Sequence, residues 1–116
     1  MGNTKQYIFL RSDLKSYSVG ALVAQGSHAS IAAIERYHDH PQTMSYVKDL
    51  GNMTTVVYQI TENDVETIKS NLDMLEIGYF EWVEDADIVT CICTRPIDLS
   101  NNKGFIEMKK TLKLFR

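Results

Sequence analysis

The sequence predicts an α/β fold, a mixed sheet with helices on its faces. Three observations carry that prediction. Segments rich in β-branched and aromatic residues alternate with segments whose apolar residues recur every three to four positions, in the order β-α-α-β-α-β-β-α. The last two strands are joined only by Glu84-Asp85-Ala86-Asp87, which forces an antiparallel hairpin, since a parallel crossover needs about a dozen residues or more. Finally, 116 residues, 44% hydrophobic and 23% charged with two prolines, fit one domain with its own core and exclude a disordered chain or a fibrous repeat.

The elements follow in order. Tyr7-Ile8-Phe9-Leu10 is a continuous apolar run ending in Arg11-Ser12-Asp13, the pattern of a central strand buried on both faces and followed by a loop. Ser16 to Ser18 supply an N-cap for a helix from about Val19 to Tyr37. On that helix Val19, Leu22, Val23, Gly26, Ser30, Ala33, Ile34 and Tyr37 form one side, expected to pack. Ala21, Gln25, His28, Ala32 and Glu35 form the other, expected to be free for chemistry. His38-Asp39-His40-Pro41 ends the helix; the two histidines have no third ligand nearby, and exposure or a dipole-favoured position explains them better than a metal. A short helix from Gln42 to Leu50 stops at Gly51-Asn52. Thr54 to Ile60 is a strand by its β-branched content, and Thr61-Glu62-Asn63-Asp64 is a capping box with Asp in place of Glu. Val65, Ile68, Leu72 and Leu75 continue a third helix to a C-cap near Gly78. Tyr79 to Val83 and Ile88 to Thr94 form the hairpin, Pro96 closes it, and Phe105, Ile106, Met108, Leu112 and Leu114 mark a C-terminal helix with a basic tail.

Several function classes are excluded or disfavoured. The longest apolar run falls far short of the roughly 20 residues that span a bilayer. The start Met1-Gly2-Asn3-Thr4-Lys5-Gln6 has no signal-peptide pattern and matches a myristoylation signal poorly, so no membrane attachment and a cytoplasmic location are expected. Cys91 and Cys93 alternate on one strand face, poor geometry for a mutual disulfide, and are expected as buried thiols. The net charge of -3 conceals an asymmetry, +4 from Arg95 to Arg116 and -7 elsewhere. A basic end on an acidic body suits an anionic partner such as nucleic acid, and equally a solvated amphipathic helix.

In an α/β sheet the loop after the first strand and the start of the first helix lie where ligands usually bind. Gln25 and His28, three residues apart, share a helix face there. Histidine serves as a general acid or base near neutral pH, and glutamine orients a carbonyl, an amide or a water. A structural hydrogen bond is the plainer alternative for such a pair.

Arg11-Ser12-Asp13-Leu14-Lys15 and then Gly20-Ala21-Leu22-Val23-Ala24-Gln25-Gly26-Ser27-His28-Ala29 resemble the opening of the archaeal and eukaryotic type 2 peptidyl-tRNA hydrolase family, R-T-D-L-K followed by G-K-I-A-A-Q-C-S-H-A. Thr90-Cys91-Ile92-Cys93-Thr94-Arg95-Pro96 is similar to the family's T-V-L-G-I-G-P, and Leu112-Lys113-Leu114 to its C-terminus. The likeness is closer still to the subgroup of peptidyl-tRNA hydrolase domain-containing protein 1. It covers nearly the whole chain, and its A-A-Q-x-S-H-A core is the specific part.

The resemblance implies a three-layer α/β/α domain with a four-stranded mixed sheet, a tendency to form a homodimer, and cleavage of the ester joining a peptide to the terminal ribose of tRNA. It implies no metal and no organic cofactor. Carried over residue by residue, it assigns Gln25, His28 and Thr90 to catalysis, and Asp13 and Lys15 to the substrate loop. The basic Lys109, Lys110 and Lys113 are the candidates for holding tRNA or peptidyl-tRNA. Two departures bear on activity. The family's catalytic Lys falls on Ala21, and an ungapped comparison puts its Asp on Gly78, with its D-A-G-R-T-Q loop missing and Asp85-Ala86-Asp87 a superficial match in the hairpin turn. Lys15 and the carboxylates of Glu84, Asp85 or Asp87 are the available substitutes. Two functions follow from this pattern: a peptidyl-tRNA hydrolase of weak or altered activity, or a non-catalytic domain that keeps the cleft and binds tRNA or a protein.

Overall fold

A computed structural model describes residues 3–116, so Gly2 of the myristoylation comparison lies outside the described residues. The first strand, β1 (Thr4–Arg11), is central and buried on both faces, as its unbroken apolar run requires. Its side chains alternate between two cores. Tyr7 and Phe9 enter one with Tyr58, Ile60, Val65, Ile68, Leu72, Ile92 and Phe105. Ile8 and Leu10 enter the other with Ala29, Ala33, Cys91 and Cys93. Three layers result, with α1 (Val19–Arg36) on one face of the sheet and α3 (Val65–Met74) and α4 (Lys103–Lys109) on the other. Phe9, Leu72 and Phe105 are fully buried, each contributing about 1.5–3 kcal/mol through lost apolar exposure.

The sheet is mixed. β1 runs parallel to β2 (Thr55–Ile60), with Phe9 opposite Tyr58, and antiparallel to β4 (Ile88–Thr94), with Leu10 opposite Cys91. β4 pairs with β3 (Tyr79–Glu84) in the antiparallel hairpin that the four-residue link demands. These are the four strands expected, but the sheet is wider by two short ones. β5 (Ile97–Asp98) pairs with the start of β1, and β6 (Lys113–Leu114) adds to β2, giving the order β3-β4-β1-β2-β6.

β6 corrects the expected C-terminal helix. α4 stops at Lys109, and the chain turns through Lys110-Thr111-Leu112, where the Thr111 hydroxyl donates to the Met108 carbonyl at 2.8 Å. Lys113 and Leu114 then find strand partners in Gln59 and Tyr58.

Three helix ends also differ from expectation. α2 (Pro41–Lys48) begins at the proline and is capped by His40, whose Nδ1 accepts the Gln42 backbone N–H at 3.1 Å, so His40 starts a helix as well as following one. The Thr61–Asp64 capping box forms as expected, with the Thr61 N–H donating to Asp64 Oδ2 at 2.8 Å, but it encloses a 3-10 turn before α3 begins. At the far end of α3 the left-handed residue is Glu76 (φ 57°), and Gly78 is no cap. Gly78 is instead packed against Tyr37, where a Cβ would sit 2.5 Å from the ring.

Tyr37 ties the end of α1 to the outer edge of β3. Its hydroxyl accepts the Tyr79 backbone N–H at 3.2 Å and donates to the Tyr79 carbonyl at 3.3 Å. Among the described residues no helix is long and apolar enough to cross a membrane.

Candidate active site

α1 starts where β1 ends. Ser18 caps it, its hydroxyl accepting the Ala21 backbone N–H at 3.1 Å, and the first turns lie over the start of β4. Here the expected division of the helix is partly reversed. Val19 and Val23, assigned to the packing side, are 79% and 66% exposed, whereas Gln25, assigned to the free side, is buried beside Gly26, Ala29 and Ala33.

The cause is a polar partner invisible in the periodicity. Thr90 Oγ1, fully buried on β4, donates to Gln25 Oε1 at 3.0 Å, so the amide enters the interior with its carbonyl satisfied. The Gln25 main-chain carbonyl also accepts from Cys91 Sγ at 3.4 Å. A Cβ at Gly26 would meet Ile8 Cδ1 at 3.7 Å, an ordinary contact, so the polar pair rather than the glycine explains the burial of Gln25. The Gln25 amide nitrogen makes no hydrogen bond among the described residues. It is a donor held in place by its own oxygen.

His28, one turn further, is exposed and leans over Trp82 of β3, their rings 5.1 Å apart at 31°. Trp82 Nε1 donates to Glu84 Oε2 at 2.8 Å. Histidine, indole and carboxylate thus line the β3 side of α1, above the Asp85–Asp87 turn, where Ala86 and Asp87 adopt positive φ. Sequence reasoning missed Trp82. Its one signal was the i, i+2 spacing to Glu84, which puts both on the same strand face.

On the other side of α1 an apolar groove of about 570 Å³ runs between Val19, Leu22, Val23 and Gly26 and the strand residues Ile8, Leu10 and Val57, closed by Phe115. The exposed valines are therefore one wall of a groove.

The structure joins Gln25 to Thr90, places His28 one turn along α1, and disperses the rest. Asp13 is tied into the scaffold. Its Oδ1 accepts from Arg11 Nε at 2.9 Å, and its Oδ2 from Arg11 Nη2 at 3.2 Å and from the Glu62 backbone N–H at 3.0 Å. The Arg11 guanidinium, aided by that N–H, holds the Asp13 carboxyl below the usual range, and Arg11 Nη1 reaches the Val89 carbonyl at 3.1 Å. Asp13 braces the end of β1 against β4 and the 3-10 turn, with few acceptor sites left for a substrate.

Lys15 is exposed on the loop before α1 and makes no hydrogen bond among the described residues. Lys109 and Lys110 lie at the end of α4, across the sheet from α1, and Lys110 pairs with Glu107 at 3.0 Å. Lys113, on β6, borders a separate cavity with Ser12, Thr61 and Asn71. The three basic residues do not adjoin the Gln25–Thr90 pair.

Gly78 is equally remote. It adjoins Tyr37 at the C-terminal end of α1, with its carbonyl accepting the Arg95 N–H at 2.9 Å, while Ala21 and Gln25 are in the N-terminal half. The carboxylates at the Gln25 end of the hairpin are Glu84, Asp85 and Asp87, whereas Gly78, where the ungapped comparison puts the family's Asp, lies at the other end of β3. His38 and His40 diverge, one beside the Glu35 carbonyl and the other capping α2. Cys91 and Cys93 are buried and free, as expected, and burial pushes the Cys91 thiol up to about 12 and that of Cys93 upward as well.

Comparison with known proteins follows this geometry. Residues 4–115 match the family described as Peptidyl-tRNA hydrolase PTH2. A mouse protein named "Putative peptidyl-tRNA hydrolase PTRHD1" is 37% identical over 117 residues, spanning 96% of this chain and 79% of its own length. A human protein of the same name is 39% identical over 97 residues, 78% of this chain and 69% of its own.

Proposed function

The chain belongs to the peptidyl-tRNA hydrolase PTH2 family, and we propose from that premise that it hydrolyses the ester between a peptide and the terminal ribose of tRNA. One observation supports this end of α1 as the site: the buried Gln25–Thr90 hydrogen bond, which leaves the Gln25 amide N–H free beside an exposed histidine.

The chemistry divides among these groups as follows. His28 accepts a proton from water as the water oxygen attacks the ester carbonyl. The Gln25 amide donates to the carbonyl oxygen as it gains negative charge, and Thr90 acts as a positioning residue through Gln25. When the tetrahedral intermediate collapses, the bond to the ribose oxygen breaks and His28 returns the proton to that leaving oxygen, yielding a free peptide acid and tRNA. No step needs a metal or an organic cofactor. Lys15 and the carboxylates of the Glu84–Asp87 turn border this end of the sheet: Lys15 is the cation available in place of the Lys that the family motif carries where this chain has Ala21, and the carboxylates are the acids available in place of the family's Asp. Losing one such electrostatic stabiliser costs about 100- to 1000-fold in rate, so the turnover expected here is low.

Purified protein incubated with N-blocked aminoacyl-tRNA should release the ester faster than buffer, and His28→Ala should remove the gain by about 100-fold or more. Release no faster than buffer refutes hydrolysis.

Ala21 favours a second reading, a domain that binds tRNA in the cleft without turnover. That reading requires salt-sensitive tRNA binding, weakened by Lys15→Ala on the loop before α1, in the absence of ester release. The hydrolase reading also carries a cytoplasmic place of work and a homodimer, supported by the family resemblance. Sedimentation that returns a monomer at micromolar concentration refutes the dimer.

A further inference from the structure

A second polar cavity, of about 530 Å³, lies at the end of the sheet opposite Gln25. Arg36 and Tyr37 at the end of α1, His40 ahead of α2, and Arg95 just after β4 form one wall, and Asp73 and Glu76 close the far rim. Arg95 is half-buried. Its Nη1 donates to Gln42 Oε1 and to the Pro96 carbonyl, both at 2.8 Å and both neutral.

No carboxylate among the described residues is within ion-pair distance of Arg95. Asp73 and Glu76, on the far rim, form no ion pair with it. Burial pushes the Arg95 guanidinium pKa down, and burial followed by the Arg95 charge pushes that of His40 down.

His40 Nδ1 accepts the Gln42 backbone N–H, so the neutral ring carries its proton on Nε2, and that donor makes no hydrogen bond among the described residues. With Nη1 engaged twice, Nε and Nη2 are the guanidinium donors left, and beside an imidazole N–H in a polar cavity they match an oxyanion. The volume is that of an ordinary small-molecule site. Arg95 stands where the family motif T-V-L-G-I-G-P has glycine, so the shared motif does not supply this group.

We propose that this cavity is a second ligand site, distinct from the Gln25 cleft, which takes a phosphate group anchored by Arg95, with the His40 Nε2–H as second donor and Arg36 adding positive charge from α1.

The test is an NMR titration of the full chain, labelled with nitrogen-15, with inorganic phosphate at about pH 7.5 and ionic strength held constant with chloride. Saturable shifts of the Arg95 Nε–H and the His40 ring are expected. Arg95→Gln should weaken binding by about tenfold or more. His40→Asn keeps an N-cap acceptor but removes the Nε2 donor, and should weaken binding by roughly two- to tenfold with little change in melting temperature. Non-saturating shifts, identical shifts in chloride alone, or undiminished binding in both variants overturn the proposal. In a second arm, an RNA hairpin with the tRNA acceptor stem is added to the phosphate-bound protein. Displacement of phosphate from Arg95 assigns the group to an RNA strand, and retention assigns it to a free small molecule; either result sustains the site. All readouts are of binding, so they stand apart from the ester-release assay.

Discussion

Thr90→Val separates what holds the cleft together from what it does. The substitution keeps the shape of a fully buried side chain but removes the hydroxyl that donates to Gln25 Oε1 at 3.0 Å. The Gln25 carbonyl is then buried without its partner, which costs about 1–3 kcal/mol. At roughly 4 °C per kcal/mol for a domain of this size, the melting temperature should fall by about 4–12 °C. Thr90→Ser, which retains the hydroxyl, should lose less.

The double variant Gln25→Leu with Thr90→Val puts two apolar groups against each other, and should recover most of the stability because neither leaves an unpaired polar atom. Ester release should nonetheless be lost in the double variant, since the amide donor is gone. Calorimetric melting and release of N-blocked aminoacyl-tRNA are measured on all four proteins. If Thr90→Val melts with wild type, or the double variant turns over normally, the Gln25–Thr90 pair is not the support of the site.

The remaining predictions concern the scaffold. Asp13→Asn should remove a pH-dependent increment of stability. The Arg11 guanidinium lowers the Asp13 pKa in the folded state, so the wild-type increment is complete above the unfolded value of about 3.9 and lost as pH falls through the lowered folded value. The two melting curves should therefore differ at neutral pH and converge below about pH 4; a constant offset at all pH values rejects the ion pair as its source. Gly78→Ala should destabilise by about 1–3 kcal/mol, because its Cβ would fall 2.5 Å from the Tyr37 ring, while ester release per folded molecule stays unchanged. Selective loss of release would return Gly78 to the active site. Cys91 and Cys93, buried with raised pKa values, should resist alkylation in the native protein and react fully in denaturant; rapid native labelling would place them elsewhere.

Much of the scaffold was legible because local pattern and tertiary role agree. The unbroken run of Tyr7 to Leu10 predicts a strand with a core on each side, and the four-residue link after Glu84 allows only a hairpin. Where they disagree, pattern failed. The apolar periodicity of α1 favours Val19 and Val23 for burial, but Gln25 is buried because a threonine 65 residues away satisfies it, which no local period encodes. Leu112 and Leu114 read as the end of a helix by their apolar type, but Leu112 lies in a turn and the free edge of β2 draws Lys113 and Leu114 into a strand. Gly78 looked like a helix cap by residue type, yet Glu76 took the left-handed position and the glycine makes room for Tyr37. Gln25 and Thr90 meet through their hydrogen bond, with His28 one turn along α1. The Trp82–Glu84 pair and the acidic turn became visible only once β3 was placed beside α1.

The bond network of Tyr37 has a consequence for self-association. β3 is the outermost strand on its side, and a bare strand edge is a template on which another chain can polymerise. The Tyr37 hydroxyl already occupies the first outward-facing N–H and C=O, those of Tyr79. The register shift between Trp82 and Val83 interrupts the row near its other end. An incoming strand would find only a short stretch around Glu81, whose carboxylate is held by Lys69. The phenol at the end of α1 thus acts as a stopper, and Tyr37→Phe would turn a guarded border into a sticky one without touching the cleft.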